Sequence, residues 1–152
     1  MRVHGNGIVV VALALFLGCP APAHAQETAD SLTGLPGFEV SIDMRFNVEP
    51  VATALRSKFR DAGIRMVGAP AHLRLNAEVV RSDAPGVSAF VVELQLTQLV
   101  AVRANGRRVL VPTWSRRRLG LANETLVTAE VETTALSLVD DFIKAWASVN
   151  PR

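Results

Sequence analysis

Hydrophobic and polar residues alternate without a break over residues 38–46, FEVSIDMRF. A period of two is typical of a strand that buries one face and exposes the other to solvent. The following segment has a helical period instead, with an apolar stripe at Val51, Leu55, Phe59 and Ala62. We predict a helix here that Asn47 caps at its start and that Gly63 ends at its C′ position.

The pattern that follows is mostly that of β-strands. A short apolar run at 64–67 predicts one strand, and strict alternation predicts another over 72–80. The longest β pattern covers 87–103, turns at Asn105-Gly106 and returns over 107–121. Asn-Gly between β-rich runs predicts a hairpin with a type I′ turn, because both central residues of that turn need a positive φ.

A two-residue loop at Asn105-Gly106 would place Ala104 opposite Arg107, and this register determines which side chains share a face. The predicted core face contains Phe90, Val92, Leu94, Leu96, Val100, Val102, Val109, Val111, Leu119 and Leu121. The predicted solvent face contains the cross-strand pairs Glu93–Arg118, Gln95–Arg116 and Thr97–Trp114. Arg117 falls on the core face. Pro112 cannot donate a hydrogen bond to a ladder, so the return strand is predicted to be an edge or to carry a bulge that redirects Arg117.

A second helical stripe follows at Val131, Ala135, Leu138, Phe142 and Trp146. It predicts a helix from Glu124 to about Ala147, capped by Asn123. The order β-α-β-β-β-β-α, with polar residues on one face of each alternating strand, leaves a single apolar face for both helices. The predicted fold class is therefore α+β, a two-layer sandwich of a mostly antiparallel sheet with two helices on one face and its other face open to water.

The start of the chain has the three parts of a secretory signal peptide at 1–25: the basic Arg2, an apolar run at 8–17 and the cleavage site Ala23-His24-Ala25. Cleavage after Ala25 predicts a periplasmic or secreted protein with a flexible leader at 26–36 and a single α+β domain at 37–152. Cys19 gives an alternative, because Phe16-Leu17-Gly18-Cys19 partly resembles a lipobox. Lipidation there would make the protein an outer-membrane lipoprotein.

Composition excludes several kinds of chemistry from the cleaved chain. Cys19 is the only cysteine, so disulfides, thiolate metal sites and a cysteine nucleophile are excluded. Once Arg2 is removed, fifteen basic residues face fourteen acidic ones, and this balance argues against a nucleic-acid binder. His72 is then the only histidine, and the side chains of adjacent Asp140 and Asp141 diverge on a helix. We therefore predict no catalytic residues, no metal site and no cofactor.

The candidate binding surface is formed by arginines of the hairpin. Arg103, Arg107 and Arg108 crowd its tip, and Arg116 and Arg118 lie with Trp114 on the predicted solvent face of the return strand. Arginine forks suit phosphate and carboxylate partners, and exposed aromatic and arginine side chains are typical of interfaces. The expected partner is an envelope protein or an anionic envelope component such as lipid A. Alternatively, acids such as Glu93 neutralise the arginines, and the charge only protects an edge strand from aggregation.

The order of elements over residues 37–148 resembles the small α+β domains that recur in the bacterial cell envelope. Examples are the lipopolysaccharide-assembly lipoprotein of the outer-membrane translocon and the amino-terminal domain of the Tol system's propeller protein. The segment 138–142, LVDDF, followed by Asn150-Pro151, also resembles the tails of secreted bacterial proteins. The resemblance implies a fold and an address but no activity.

We accordingly expect a non-enzymatic binding or assembly-accessory protein of the periplasm or outer membrane, acting through the open sheet face and the arginine-rich hairpin. An unrecognised secreted enzyme and a purely structural envelope protein are the alternatives. Membrane contact is expected only if Cys19 is lipidated, and the sequence leaves the oligomeric state open.

Overall fold

The computed structural model describes residues 29–45, 48–66, 71–81 and 85–151. The predicted signal peptide, its cleavage site and Cys19 therefore lie outside the described residues. After a short 3-10 turn at Ala29–Leu32, the elements are β1 (Glu39–Met44), α1 (Glu49–Asp61), β2 (Ala71–Arg81), β3 (Val87–Ala101), β4 (Arg108–Asn123) and α2 (Val127–Val149).

The four strands form one sheet in the order β1-β2-β3-β4. The first pair is parallel, with α1 in the crossover, and the other two pairs are antiparallel. The predicted α+β class and its element order are confirmed. The short strand predicted at 64–67 is reduced, within the described residues, to a single parallel bridge between Phe38 and Met66. β1 and β4 are the two edges of the sheet.

Both helices pack on the same face of the sheet, as predicted. The apolar stripes of α1 and α2 share one core with the inward residues of the strands, among them Leu73, Leu75 and Leu94. At its centre Phe38, Phe59 of α1 and Phe142 of α2 meet edge to face, with ring centroids 5.3 to 5.9 Å apart. This geometry is favoured by aromatic quadrupoles, so the three rings lock the two helices onto the sheet.

The helix ends agree with the sequence only in part. Gly63 adopts φ 69° after α1, where the amides of Gly63 and Ile64 donate to the carbonyls of Arg60 and Phe59 at 2.9 and 2.8 Å. This Schellman motif confirms the predicted C′ glycine. At the start of α1 the N-cap is Val48, without a side-chain hydrogen bond, and Asn47 lies outside the described residues.

The predicted capping of the second helix by Asn123 is wrong. Asn123 is the last residue of β4, and its Oδ1 accepts hydrogen bonds from the amide and the hydroxyl of Thr125, at 3.0 and 2.9 Å. Helix α2 begins at Val127, after the turn that these bonds stabilise. The asparagine therefore organises the strand-to-helix turn instead of the first turn of the helix.

Residues 29–36 are not the flexible leader that their composition predicts. Leu32 and Leu35 are buried in the core, and Asn150, just after α2, holds the segment in place. Its Oδ1 accepts from the amide of Gly34 at 2.9 Å, while its Nδ2 donates to the carbonyls of Leu32 and Trp146 at 2.9 and 3.0 Å. The folded domain therefore begins no later than residue 29.

Candidate functional site

The hairpin turn has a longer loop than Asn-Gly predicts. Val102 donates to the carbonyl of Arg107 at 2.7 Å, which closes a loop of four residues. Gly106 has φ 68°, whereas none of the described non-glycine residues has a positive φ, so Asn105 is not in a type I′ turn. Its Oδ1 instead accepts from the amide of Arg107 at 3.0 Å. The register near the tip is therefore shifted by two residues from the prediction, which leaves the faces unchanged.

A β-bulge on β4 does change the faces. Thr97 pairs with Pro112 but Leu96 pairs with Trp114, so Thr113 is the extra residue. Its hydroxyl donates to Oε1 of Gln98 at 2.6 Å, and Pro112 has no N–H to donate. Both options that Pro112 predicts are confirmed, because β4 is an edge strand and carries a bulge. From Trp114 onward, every side chain lies on the face opposite to the predicted one.

The predicted exposure of Trp114 is wrong for this reason. Its side chain is 2% exposed and meets Phe142 edge to face, with ring centroids 5.0 Å apart. Leu119 and Leu121, predicted in the core, are instead 80% and 74% exposed on the open face of the sheet. Trp114 is therefore a core residue and does not belong to a binding surface.

The arginines of β4 are separated by the same bulge. Arg118 turns toward α2, where its guanidinium donates to Ser137 Oγ at 2.8 Å and to Asp141 Oδ2 at 2.7 Å. Arg117 replaces it as the partner of Glu93 on the open face, with nitrogen-to-oxygen distances of 3.2 and 3.3 Å. The predicted pair Glu93–Arg118 is wrong, whereas the bulge redirects Arg117 away from the core face, as Pro112 predicted. Arg116 is exposed opposite Leu94, on the side of the helices.

Three of the six predicted site residues remain together. Arg103, Arg107 and Arg108 are exposed around the hairpin turn, and no ion pair or side-chain hydrogen bond joins their guanidinium groups to another described residue. The pairing of β2 with β3 ends at Ala71–Gln98, so beyond Gln98 the hairpin consists, within the described residues, of β3 and β4 alone. We call residues 99–110 the hairpin tip.

The hairpin tip is also apolar on its open side. Leu99 and Leu110 are directly paired across the ribbon and are 43% and 68% exposed. Arg108, opposite Ala101, is on the same side of the ribbon, two pairs closer to the turn. The tip therefore combines an exposed leucine pair with three exposed arginines.

A second exposed feature lies at the other end of the open face. We call Val80, Leu119 and Leu121 the open-face patch; all three are exposed, and Ala89 lies between Val80 and Leu121 in the register. A shallow cavity of about 430 Å³ adjoins it, next to the Glu93–Arg117 pair. In the sequence, Gly120 marks the position of this patch. The glycine pairs with Phe90 and has no side chain that would collide with the phenyl ring.

A third feature is a groove of about 540 Å³ between β1 and α1. Its apolar lining comes from Val40 and Ile42 of β1 and from Ala52 and Leu55 of α1. Glu49, at the rim, lies 3.7 Å from the guanidinium of Arg56. Glu39 also lines the groove, so its charged residues are two acids and one arginine, in contrast to the arginines of the hairpin tip.

The two adjacent acids of α2 each form an ion pair. Asp140 accepts from Lys58 Nζ at 2.7 Å, whereas its neighbour Asp141 binds Arg118, so the two carboxylates hold α1 and β4 on different sides of α2. His72 is half-buried at the start of β2 on the open side. In the described ranges, no three histidine, cysteine, aspartate or glutamate residues are grouped as metal ligands. None of the helices described is both long and apolar enough to cross a membrane.

No protein-family model and no curated protein matches this chain. Similar solved structures are a minor lipoprotein from Acinetobacter baumannii (11% identity, TM-score 0.33, 75% of this chain and 92% of that one) and the PelC dodecamer from Paraburkholderia phytofirmans (15%, 0.38, 73% and 87%). A candidate lipoprotein from Caulobacter crescentus is similar too (16%, 0.30, 82% and 98%). Bacterial lipoproteins are thus among the proteins that this chain resembles, and at these TM-scores the likeness supports no inference about function.

Proposed function

We propose that the protein is a binding protein of the bacterial cell envelope that acts through the hairpin tip on an anionic envelope component. The address rests on the secretory signal pattern at 1–25. The binding role rests on one observation above all, namely three exposed arginines at the end of a two-stranded ribbon without an acidic partner among the described residues.

The contrast with other arginines of the sheet supports this proposal. Arg74, Arg117 and Arg118 each form an ion pair, with Asp43, Glu93 and Asp141 respectively. For Arg117 and Arg118 this fits the alternative that acids neutralise the arginines of the hairpin. The alternative does not extend to the tip, because Arg103, Arg107 and Arg108 have no such partner in the described part of the chain.

The distribution of charge along the sequence supports it as well. Between Glu93 and Glu124 the chain contains six arginines and no acidic residue, although the whole chain has a net charge of only +2. A local excess of one sign attracts ligands of the opposite sign and raises their association rate. We propose binding and not catalysis, because Asp140 and Asp141, the adjacent acids, are each engaged in an ion pair with a different element.

Site-specific photo-crosslinking in intact cells tests this function. A benzoylphenylalanine replaces Leu110 of the tip or, as a control, the similarly exposed Leu126 before α2. We expect a discrete crosslinked product from position 110 that disappears when Arg103, Arg107 and Arg108 are changed to Gln. Equal products from both positions, or none from position 110, would overturn the proposal.

A further inference from the structure

We infer that the anionic component bound by the hairpin tip is the surface of a phospholipid bilayer, into which the Leu99–Leu110 pair inserts while the arginines bind lipid phosphates. This inference rests on the proposed function and names its ligand. It also gives the protein a route to the membrane that does not require lipidation of Cys19.

The first argument is the projection of the tip. The last residue of β3 that pairs with β2 is Gln98, and the turn begins about five residues later at Arg103. At the usual rise of a strand, the turn lies roughly 15 Å beyond the three-stranded part of the sheet. Among the described strands only β3 and β4 reach this far, so the tip is a two-stranded ribbon that extends beyond the sheet and can approach a planar surface.

The second argument is the combination of side chains. Leu99 and Leu110 form an exposed apolar pair, and Arg108 is next to them on the same side of the ribbon. A free phosphate ion would use the arginines but would gain nothing from the leucines. The boundary between headgroups and acyl chains offers phosphates and hydrocarbon within the same few ångströms, as amphipathic membrane-surface segments require.

The third argument is electrostatic. Residues 94–123 carry six positive charges and no negative one, and the three at the tip have no acidic partner among the described residues. Basic residues next to an anionic leaflet each strengthen binding roughly fivefold, and the effect decays within a Debye length. Three arginines at the end of the ribbon are the part of this charge that can come closest to the lipid.

Sedimentation with vesicles tests the inference. Every protein carries Cys19→Ala, so that no acyl chain on this residue contributes. Vesicles of phosphatidylcholine alone are compared with vesicles that contain phosphatidylglycerol. We expect binding to the anionic vesicles only, weakening as salt is added. Changing Arg103, Arg107 and Arg108 to Gln should weaken this binding on the order of 100-fold.

The chain offers a matched control for each change. Arg56, Arg60 and Arg65 are exposed on and after α1, and changing them to Gln removes the same charge. This control should alter binding less than threefold. Leu110→Ser should weaken binding about tenfold, because an inserted apolar side chain is lost, whereas Leu126→Ser should have no effect. All four variants change exposed side chains and should keep the circular dichroism spectrum of the wild type.

A fluorescent label locates the contact directly. With Cys19 replaced, Leu110→Cys introduces the only thiol, and an environment-sensitive dye on it should brighten and shift to the blue with anionic vesicles. The same dye at Leu126→Cys should not respond. Two results would identify a phosphate site and overturn insertion. One is loss of vesicle binding in the tip arginine variant while the Leu110→Ser variant binds as the wild type does. The other is competition of millimolar inorganic phosphate with vesicle binding.

Two further outcomes separate this inference from the proposed function. Absence of vesicle binding, combined with a tip-specific crosslink to an envelope protein, would overturn the bilayer as the ligand and leave the binding function intact. Absence of both would overturn the two together. Equal losses in the tip variant and the control variant would mean that net charge alone attracts the protein, and would also overturn the inference.

Discussion

Trp114→Ala tests the bulge, and the bulge determines which residues of β4 face solvent. The side chain is 2% exposed and packs edge to face on Phe142, with ring centroids 5.0 Å apart. A buried tryptophan removes about 200 Å² or more of surface from water, and its truncation typically costs about 3–5 kcal/mol. That loss is a large part of the total stability of a domain of this size, so the variant should be marginally folded.

The other tryptophan gives the internal comparison. Trp146 is on the same helix as Phe142 but is only partly buried, so Trp146→Ala should destabilise the protein less than Trp114→Ala. The faces predicted from the sequence imply the opposite order, with Trp114 within about 0.5 kcal/mol of neutral as at ordinary surface sites.

Equilibrium urea unfolding measures both variants. Far-UV circular dichroism follows the whole domain, and fluorescence reports on the single tryptophan that remains in each variant. A free energy of unfolding for Trp114→Ala that equals the wild-type value, or a greater loss for Trp146→Ala, would refute the bulge. Leu119 and Leu121 would then return to the core, and the open-face patch would not exist.

Three further predictions concern the register, the N-terminal turn and the processing of the chain. Gly120→Ala places a Cβ against the ring of Phe90 and should lower the free energy of unfolding in urea by about 1–3 kcal/mol. Adding Phe90→Leu to this variant should restore part of the lost stability. An unchanged free energy of unfolding for Gly120→Ala would contradict the pairing of Gly120 with Phe90. Asn150→Ala removes three hydrogen bonds and should lower the free energy of unfolding by about 1–3 kcal/mol. Amide exchange in the N-terminal 3-10 turn should also become faster. Unchanged exchange there would refute the anchoring of this turn by Asn150. Intact-mass measurement of the exported protein should give a chain that begins at Gln26, and a diacylglyceryl-modified chain that begins at Cys19 would contradict the cleavage site.

Much of the fold follows from local patterns. The strands are identified by the alternation around Val40 and Leu75, and the helices by the stripes that contain Leu55 in α1 and Phe142 in α2. These patterns also identify the buried faces, because burial imposes the period of the secondary structure on the sequence. The segment around Leu32 does not follow, because it is fixed by a partner more than a hundred residues away in the chain.

The sequence predicts the exposure of the arginines at the hairpin tip correctly, but it does not predict which side chains of β4 face solvent. Asn105 and Gly106 mark the turn but are compatible with several loop lengths, so they leave the register open. Pro112 signals a bulge but does not specify the extra residue, and a single extra residue exchanges the two faces of the strand. The arginines next to the turn keep their exposure under either register, whereas Trp114 and Arg118 depend on it.

Amide hydrogen exchange of the protein with isolated envelope membranes tests the central claim most directly. Exchange reports on each segment separately, so it distinguishes the hairpin tip from the groove between β1 and α1 and from the open-face patch. We predict slower exchange over residues 99–110 when membranes are present, absent when Arg103, Arg107 and Arg108 are changed to Gln. Protection confined to the groove or the open-face patch, or no protection at the tip, would contradict the account.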